Sequence, residues 1–265
     1  MSGARRSRSP PASITSGDAS VRAIRYLLAL VVGTVWYGSV VIIASLLRRP
    51  HARKGVYERA THDWARLLLT AAGVTVSVEG TEHLSQTEAQ IIVANHQSWF
   101  DILAVFYVLP VEVRFVAKKE LFAIPFFGGA LRALGHVRLD RTNLKQAITA
   151  YEVASRYIKE QRLSVLVFAE GTRSRTGALQ PFKSGPFVLA IESRAPVVPV
   201  YVAGTFGILP KGSIRVRPRA VQVTVAPPIP TAGLTIDDRA TLRDRTHAAV
   251  ARLRAASVDA PRDAT

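Results

Sequence analysis

Short apolar runs at 91–94, 113–117, 163–168 and 197–202 limit what this chain can fold into more than any other feature of it. Each is rich in β-branched residues and too short for a buried helix, so each reads as a strand, and those at 91–94 and 163–168 read as buried on both faces. Val74-Thr-Val-Ser-Val-Glu79 and the run 221–225 alternate as half-exposed strands do, and 137–139 is a brief strand. Helical patterns lie between them. Leu144, Ile148, Tyr151, Ala154 and Ile158 recur at helical spacing across 142–161, and 184–192 and 237–256 read as further helices. The stretch 122–134 holds Pro125 and a Gly128-Gly129 pair, so it reads as a loop and a short helix. Strands alternating with helices predict an α/β fold with a mostly parallel central sheet flanked by helices.

The N-terminal part has a different texture. Residues 1–20 are rich in Ser, Arg, Gly and Pro and read as a disordered basic tail. Residues 26–47 then run 22 positions without a charge. As a helix that is ~33 Å, enough to cross a bilayer core of ~30 Å. Arg22 and Arg25 precede it and Arg48, Arg49, Arg53 and Lys54 follow, so the positive-inside rule gives no clear orientation. Farther on, Tyr57, Trp64, Leu67 and Leu68 interleave with Arg59 and Arg66 as in an interfacial amphipathic helix. Residues 21–72 are therefore expected to form a helix pair anchoring the chain on one membrane face, a reading favoured over a full span. The alternative is that both helices are buried in a soluble domain. The α/β domain is expected over 73–230, and a C-terminal helix and tail over 231–265.

A formal charge of +16, from 35 Lys/Arg against 19 Asp/Glu, calls for an anionic partner: nucleic acid, anionic lipid or a phosphorylated substrate. The charge gathers in the tail and around the apolar segment, with no zinc spacing and no aromatic RNA-binding pattern, so nucleic acid is not expected. The absence of cysteine excludes disulfides, thiolate catalysis and Cys-ligated zinc.

Residues able to do chemistry leave the ends of the strands. His96 lies where the run 91–94 gives way to a helix, with Ser98 as a candidate N-cap. Across such a turn Asp101 can accept the imidazole N–H, fix the tautomer and leave the other nitrogen as a general base. Ser98-x-x-Asp101 also fits a capping box, in which Asp101 does no more than cap. Asp140-Arg141 and Glu170-Gly171-Thr172-Arg173 leave two other strands, and in a parallel sheet such ends share one edge. Arg141, Arg173 and Lys118 or Lys119 offer fixed positive charge for a phosphate. Gly171 admits close backbone approach, and its N–H can hold an oxyanion. Each has a structural alternative: Arg141 paired with Asp140, Glu170 with Arg173, the lysines on a solvated face. Ser98 has no G-x-S-x-G elbow around it, which argues against a nucleophile there.

Asn95-His96-Gln97-Ser98-Trp99-Phe100-Asp101 resembles the NHx4D motif of the glycerolipid acyltransferases. Gly135-His136-Val137-Arg138-Leu139-Asp140-Arg141 is similar to their second block, Phe168-Ala169-Glu170-Gly171-Thr172-Arg173-Ser174 to the third and Val197-Val198-Pro199-Val200 to the fourth, in family order. Within the family the chain resembles most the 1-acyl-sn-glycerol-3-phosphate acyltransferases. That resemblance implies acyl transfer from acyl-CoA or acyl-carrier-protein to the free hydroxyl of lysophosphatidic acid, giving phosphatidic acid in phospholipid biosynthesis. It implies no tightly bound cofactor and no metal. His96 and Asp101 would be the catalytic pair, Arg141 and Lys118 phosphate contacts, and Asn95, Ser98, Glu170, Gly171, Thr172 and Arg173 further substrate contacts. It also implies a place on the cytoplasmic face of the cell membrane. Two alternatives stay open: the same chemistry on glycerol 3-phosphate, a lysophospholipid or an amino-acid lipid, and a non-enzymatic basic protein of membrane surfaces or nucleic acid. The basic tail lies outside the family pattern.

Overall fold

The computed structural model describes residues 16–139, 155, 158, 160–212 and 215–259. Helix α1 (Ser16–Leu46) and helix α2 (Val56–Ala72) come first. They are followed by β1 (Thr75–Glu79), β2 (Gln90–Ala94), α3 (Phe100–Val108), β3 (Val113–Lys118), α4 (Lys119–Phe122), α5 (Phe127–Ala133) and β4 (Val137–Leu139). The chain ends with β5 (Ser164–Phe168), α6 (Gly185–Ser193), β6 (Val197–Ala203), α7 (Thr205–Ile208), β7 (Ala220–Val225) and α8 (Arg239–Asp259). α1 begins inside the stretch expected to be tail; residues 1–15 and most of the helix expected over 142–161 lie outside the described residues.

Among the described residues the strands form one sheet in the order β1-β7-β6-β2-β5-β3-β4. β2 pairs in parallel with β5 and β6, and β3 with β5 and β4, whereas β7 runs antiparallel to β6. Five strands therefore point the same way, and their C-terminal ends share one edge. The sheet is mostly parallel and flanked by helices, as the alternating patterns predict.

Strand geometry sends successive side chains to opposite faces. Ile92 and Ala94 of β2 join Leu166, Val198 and Val200 beneath Leu68 and Leu69 of α2 and Leu103 of α3. Ile91 and Val93 join Val165, Val167 and Val197 beneath Phe187 and Leu189 of α6 and Leu242 and Val250 of α8. Coverage of both faces is why these runs are apolar at every position rather than at alternate ones.

α1 is fastened along its length. Near its start, Arg25 Nε donates to Ala71 O at 2.9 Å and Tyr26 stacks on Phe100 with ring centroids 5.5 Å apart. Midway, Trp64 Nε1 donates to Thr34 Oγ1 at 3.1 Å. Near its end, Val41 and Ala44 pack on Ala130 and Ala133 of α5. On its other side Val21, Ile24, Leu28, Val32, Val35 and Trp36 are each more than half exposed. A continuous bare apolar stripe of this kind suits lipid, not water, so the helix is compatible with a membrane anchor and departs from the soluble-core alternative.

The turn from β6 into α7 depends on Gly204. Its φ is +91°, and a Cβ there would lie 2.4 Å from Ala220 O. Both facts forbid a side chain. Gly204→Ala is expected to cost about 1–3 kcal/mol, seen as a lower midpoint in urea unfolding; an unchanged midpoint would show that the turn relaxes freely.

Candidate active site

β2 stops at Ala94, and the next residue continues its pairing by other means. Asn95 Oδ1 accepts from Val202 N at 2.8 Å, and Asn95 Nδ2 donates to Val202 O at 3.0 Å. The side chain imitates a strand backbone and has no exposed surface. The expected substrate contact at Asn95 is corrected on this point: its amide holds β6 against β2.

His96 comes next and is held from four directions. Its N–H donates to Glu170 Oε1 at 3.0 Å, and its carbonyl accepts from Ser174 N at 2.8 Å. The ring stacks on Phe168 with centroids 4.1 Å apart and planes 17° apart. Nδ1 lies 2.8 Å from Asp101 Oδ2. With a carboxylate at that distance the consistent tautomer places the proton on Nδ1 and leaves the Nε2 lone pair for the cleft. The ring keeps 16% of its side-chain surface exposed, so the cleft reaches it.

Asp101, in the first turn of α3, is completely buried. Beside the imidazole, Oδ2 accepts from Gln97 N at 2.6 Å and Ser98 N at 2.8 Å, and Oδ1 accepts from the Thr205 hydroxyl. Four donors stand in for water around a charge that burial alone would make very costly. The bond to Ser98 N is one half of a capping box. The hydroxyl of Ser98 accepts from Phe100 N at 3.4 Å, as the expected cap would, although Trp99 is the residue directly before α3, and it donates to Leu209 O at 2.8 Å. Ser98 is fully buried, which replaces its expected substrate contact with a structural one.

The third block turns beneath the ring. Glu170 is buried, with Oε1 on His96 N and Oε2 accepting from Gln180 Nε2 at 2.6 Å. Burial pushes its carboxyl up to about 7 against the pull of those two bonds, and the nearby charge of Asp101 adds to the rise. Glu170 therefore orients the histidine turn and does not reach into the cleft. Gly171 has φ +75°, a left-handed position that suits glycine, and its N–H donates to Phe168 O at 3.0 Å. That bond takes up the N–H expected to hold an oxyanion. Thr172 is exposed, and its Oγ1 accepts from Lys211 Nζ at 3.0 Å. The Arg173 guanidinium lies over the Trp99 ring at 5.3 Å. Lys118 ends β3 on the same edge with its side chain exposed. Arg141 lies outside the described residues.

A buried carboxylate, an oriented imidazole with one nitrogen left for the cleft, and cationic side chains together suit base-assisted transfer to a phosphorylated acceptor. Comparison with known proteins agrees with that chemistry. The family model described as acyltransferase matches residues 75–203. The chain is 36% identical over 211 residues to a 1-acyl-sn-glycerol-3-phosphate acyltransferase of Cocos nucifera, covering 80% of this chain and 67% of that protein. It is 35% identical over 212 residues to the protein of the same description from Limnanthes douglasii, covering 80% and 74%. This chain belongs to the acyltransferase family. Among solved structures, the crystal structure of the 1-acyl-sn-glycerophosphate (LPA) acyltransferase PlsC from Thermotoga maritima superposes with a TM-score of 0.74 at 27% identity, covering 89% of this chain and 96% of that one.

Several residues around this acyltransferase's histidine carry no signal in the sequence. Thr205 and Lys211 follow β6, and Gln180 follows the third block. Position offers the one clue: the run 197–202 ends on the reactive edge, so the residues that follow it lie there too.

The Glu170 carboxyl yields a test. A folded-state pKa raised to about 7 from about 4.5 means that the fold favours the protonated form. This group's contribution to stability is therefore complete below about 4.5 and is lost as pH rises through about 7. In urea unfolding followed across that window, Glu170→Gln is expected to show a flatter fall in stability than the parent. Parallel profiles would mean that Glu170 titrates normally.

Proposed function

We propose that this acyltransferase esterifies the free hydroxyl of lysophosphatidic acid to give phosphatidic acid, taking the acyl group from acyl-CoA or acyl-carrier-protein. The reading is carried by the 2.8 Å contact between His96 Nδ1 and Asp101 Oδ2 on an edge that also bears Arg173, Lys211 and Lys118. The names of the relatives support the acceptor.

His96 Nε2 takes the proton of the acceptor hydroxyl as its oxygen attacks the thioester carbonyl. Collapse of the tetrahedral intermediate breaks the C–S bond, and the imidazolium returns the proton to the departing thiolate. Asp101 holds the ring in the required tautomer and stabilises its transient positive charge. No acyl-enzyme forms. Arg173 and Lys211 face the acceptor phosphate, joined by Lys118 and by Arg141, which follows β4 in sequence.

The membrane reading is a single-leaflet anchor on the cytoplasmic face. A helix fastened near both its ends to the catalytic domain cannot cross a bilayer without drawing that domain into hydrocarbon. Trp99, Ile124 and Phe126 are each more than 40% exposed and add apolar contacts beyond α1.

His96→Ala is expected to lower acyl transfer by about 10²–10⁴-fold, while flotation of the purified protein with lipid vesicles is unchanged; near-normal transfer would remove the general base from this mechanism. Lys211→Ala and Arg141→Ala are each expected to raise the apparent KM for lysophosphatidic acid about tenfold, the scale of a lost charge-assisted bond. A phosphate-free monoacylglycerol acceptor should feel neither change, and equal losses on both acceptors would place these cations elsewhere.

A further inference from the structure

A second group of charges lies at the N-terminal end of β3, on the sheet edge opposite His96. Arg114 there is only 2% exposed. Its Nη1 contacts Glu112 Oε1 at 2.8 Å, and its Nη2 lies 2.7 Å from Nδ1 of His51, a residue of the turn between α1 and α2. Arg114 Nε is buried and meets no acceptor among the described residues. His51 stacks on Tyr57 with centroids 3.9 Å apart, which fixes the turn. His136 accepts from Phe115 N at 3.3 Å through Nδ1. Burial, and then the charge of Arg114, hold both imidazoles below their ordinary pKa. They do not add to the local charge at neutral pH.

Glu112, Arg114 and His136 border a cavity of about 300 Å³, the size at which small-molecule pockets begin. Phe106, Leu109, Val111 and Leu134 give it an apolar wall, and Lys54, Arg59 and Arg114 oppose the carboxylates of Glu58 and Glu112. Glu58 is already engaged with the Lys54 N–H. Three cations thus face two carboxylates, and the imbalance is positive. Lys54 and Arg59 are exposed, as are Arg48, Arg49 and Arg53 just before them. The preceding residues, Leu46 and Leu47, are 76% and 66% exposed and end the bare stripe of α1. With α1 lying flat, the cationic rim sits beside the end of the lipid-facing stripe, at the surface level where phospholipid phosphates lie.

We propose that this cavity binds the phosphate-bearing head of an anionic phospholipid, with the first carbons of one chain against Phe106, Leu109 and Val111. The site is separate from the acceptor cleft, and the inference rests on α1 lying in the membrane surface. A bound head would touch Lys54 and Arg59 of the anchor together with Arg114 of the sheet, and so fix one to the other.

The test uses the full chain on phosphatidylcholine vesicles carrying a trace of either of two photoreactive phospholipids, one anionic (phosphatidylglycerol) and one zwitterionic (phosphatidylcholine). Each bears a diazirine near the start of one chain. After irradiation, peptides are mapped by mass spectrometry. The anionic probe is expected to label 54–62 and 106–114 saturably, at least fivefold over the zwitterionic probe, with competition by unlabelled phosphatidylglycerol but not by inorganic phosphate. Val111→Trp fills the wall without altering charge and is expected to lose that labelling while α1 stays labelled. Lys54→Ala with Arg59→Ala, both exposed, provides a second variant that leaves the core intact and is expected to lose it too. Labelling confined to α1, equal labelling by both probes, or labelling that survives the variants would overturn the proposal. Acyl transfer is assayed on the same preparations: absence of transfer by the parent chain would count against the enzymatic reading alone, and absence of labelling at 54–62 and 106–114 against this one alone.

Discussion

The carboxylate of Asp101 is the constraint around which the site is built. An ion with no exposed surface costs several kcal/mol unless polar groups replace its hydration, and here they come from two parts of the chain far apart in sequence. The imidazole of His96, Gln97 N and Ser98 N belong to the turn between β2 and α3, and the Thr205 hydroxyl follows the turn after β6. Removing any one of them leaves the others holding a poorly solvated charge. The neighbouring elements are consequently bound to one another through this group: β2, α3 and β6 cannot drift apart without exposing it or leaving it unpaired. The helix-capping and histidine-orienting roles, which read as rivals in the sequence, are both filled by this carboxylate. A cap that also accepts the imidazole N–H has its position fixed by the start of the helix as well as by its donors, and so stays aimed at the ring.

The sheet explains why such a group can be surrounded at all. Five strands ending on one edge bring their following residues within reach of each other, although those residues are far apart in sequence. Glu170 meets His96 across 74 positions, and Thr205 meets Asp101 across 104. Asn95 shows how tightly the strands must be joined for this to work. Its amide extends the β2–β6 ladder by one more rung, so the first residue free to carry chemistry is His96.

The fold was largely legible because burial on both faces writes itself into composition: 91–94, 165–168 and 197–202 are apolar at successive positions, as two covered faces demand. The pairing of His96 with Asp101 was legible because both lie within one turn. What stayed hidden was polar and distant. A single threonine after a strand looks like any other, yet Thr205 is fixed on Asp101 by a glycine turn that brings it there. The family resemblance placed Glu170 among the substrate contacts, and the sequence offered Arg173 as its structural partner. Its actual partners, a main-chain N–H and the Gln180 amide, become visible only once the turn closes on itself. Gly171 was read as a place of close backbone approach with an N–H for an oxyanion, but the chain bends there and the bend consumes that N–H.

In the proposed single-leaflet arrangement, the docking of α1 also sets the depth of the cleft. At 31 residues the helix is long enough, at ~1.5 Å per residue, to leave a bilayer on both sides, so length alone argues for a span. Its contacts argue otherwise. Tyr26 rests on Phe100, one residue before the carboxylate that orients His96, while Val41 and Ala44 rest on α5 near the far end. Were the helix upright, one of these two attachments would lie within the hydrocarbon together with the domain it holds. Were it flat, both would lie at the surface, and Tyr26 would bring His96 to the level at which a lysolipid presents its glycerol hydroxyl. The chemistry needs that hydroxyl and the imidazole at the same depth, and only the flat arrangement supplies it without pulling the acceptor out of the membrane.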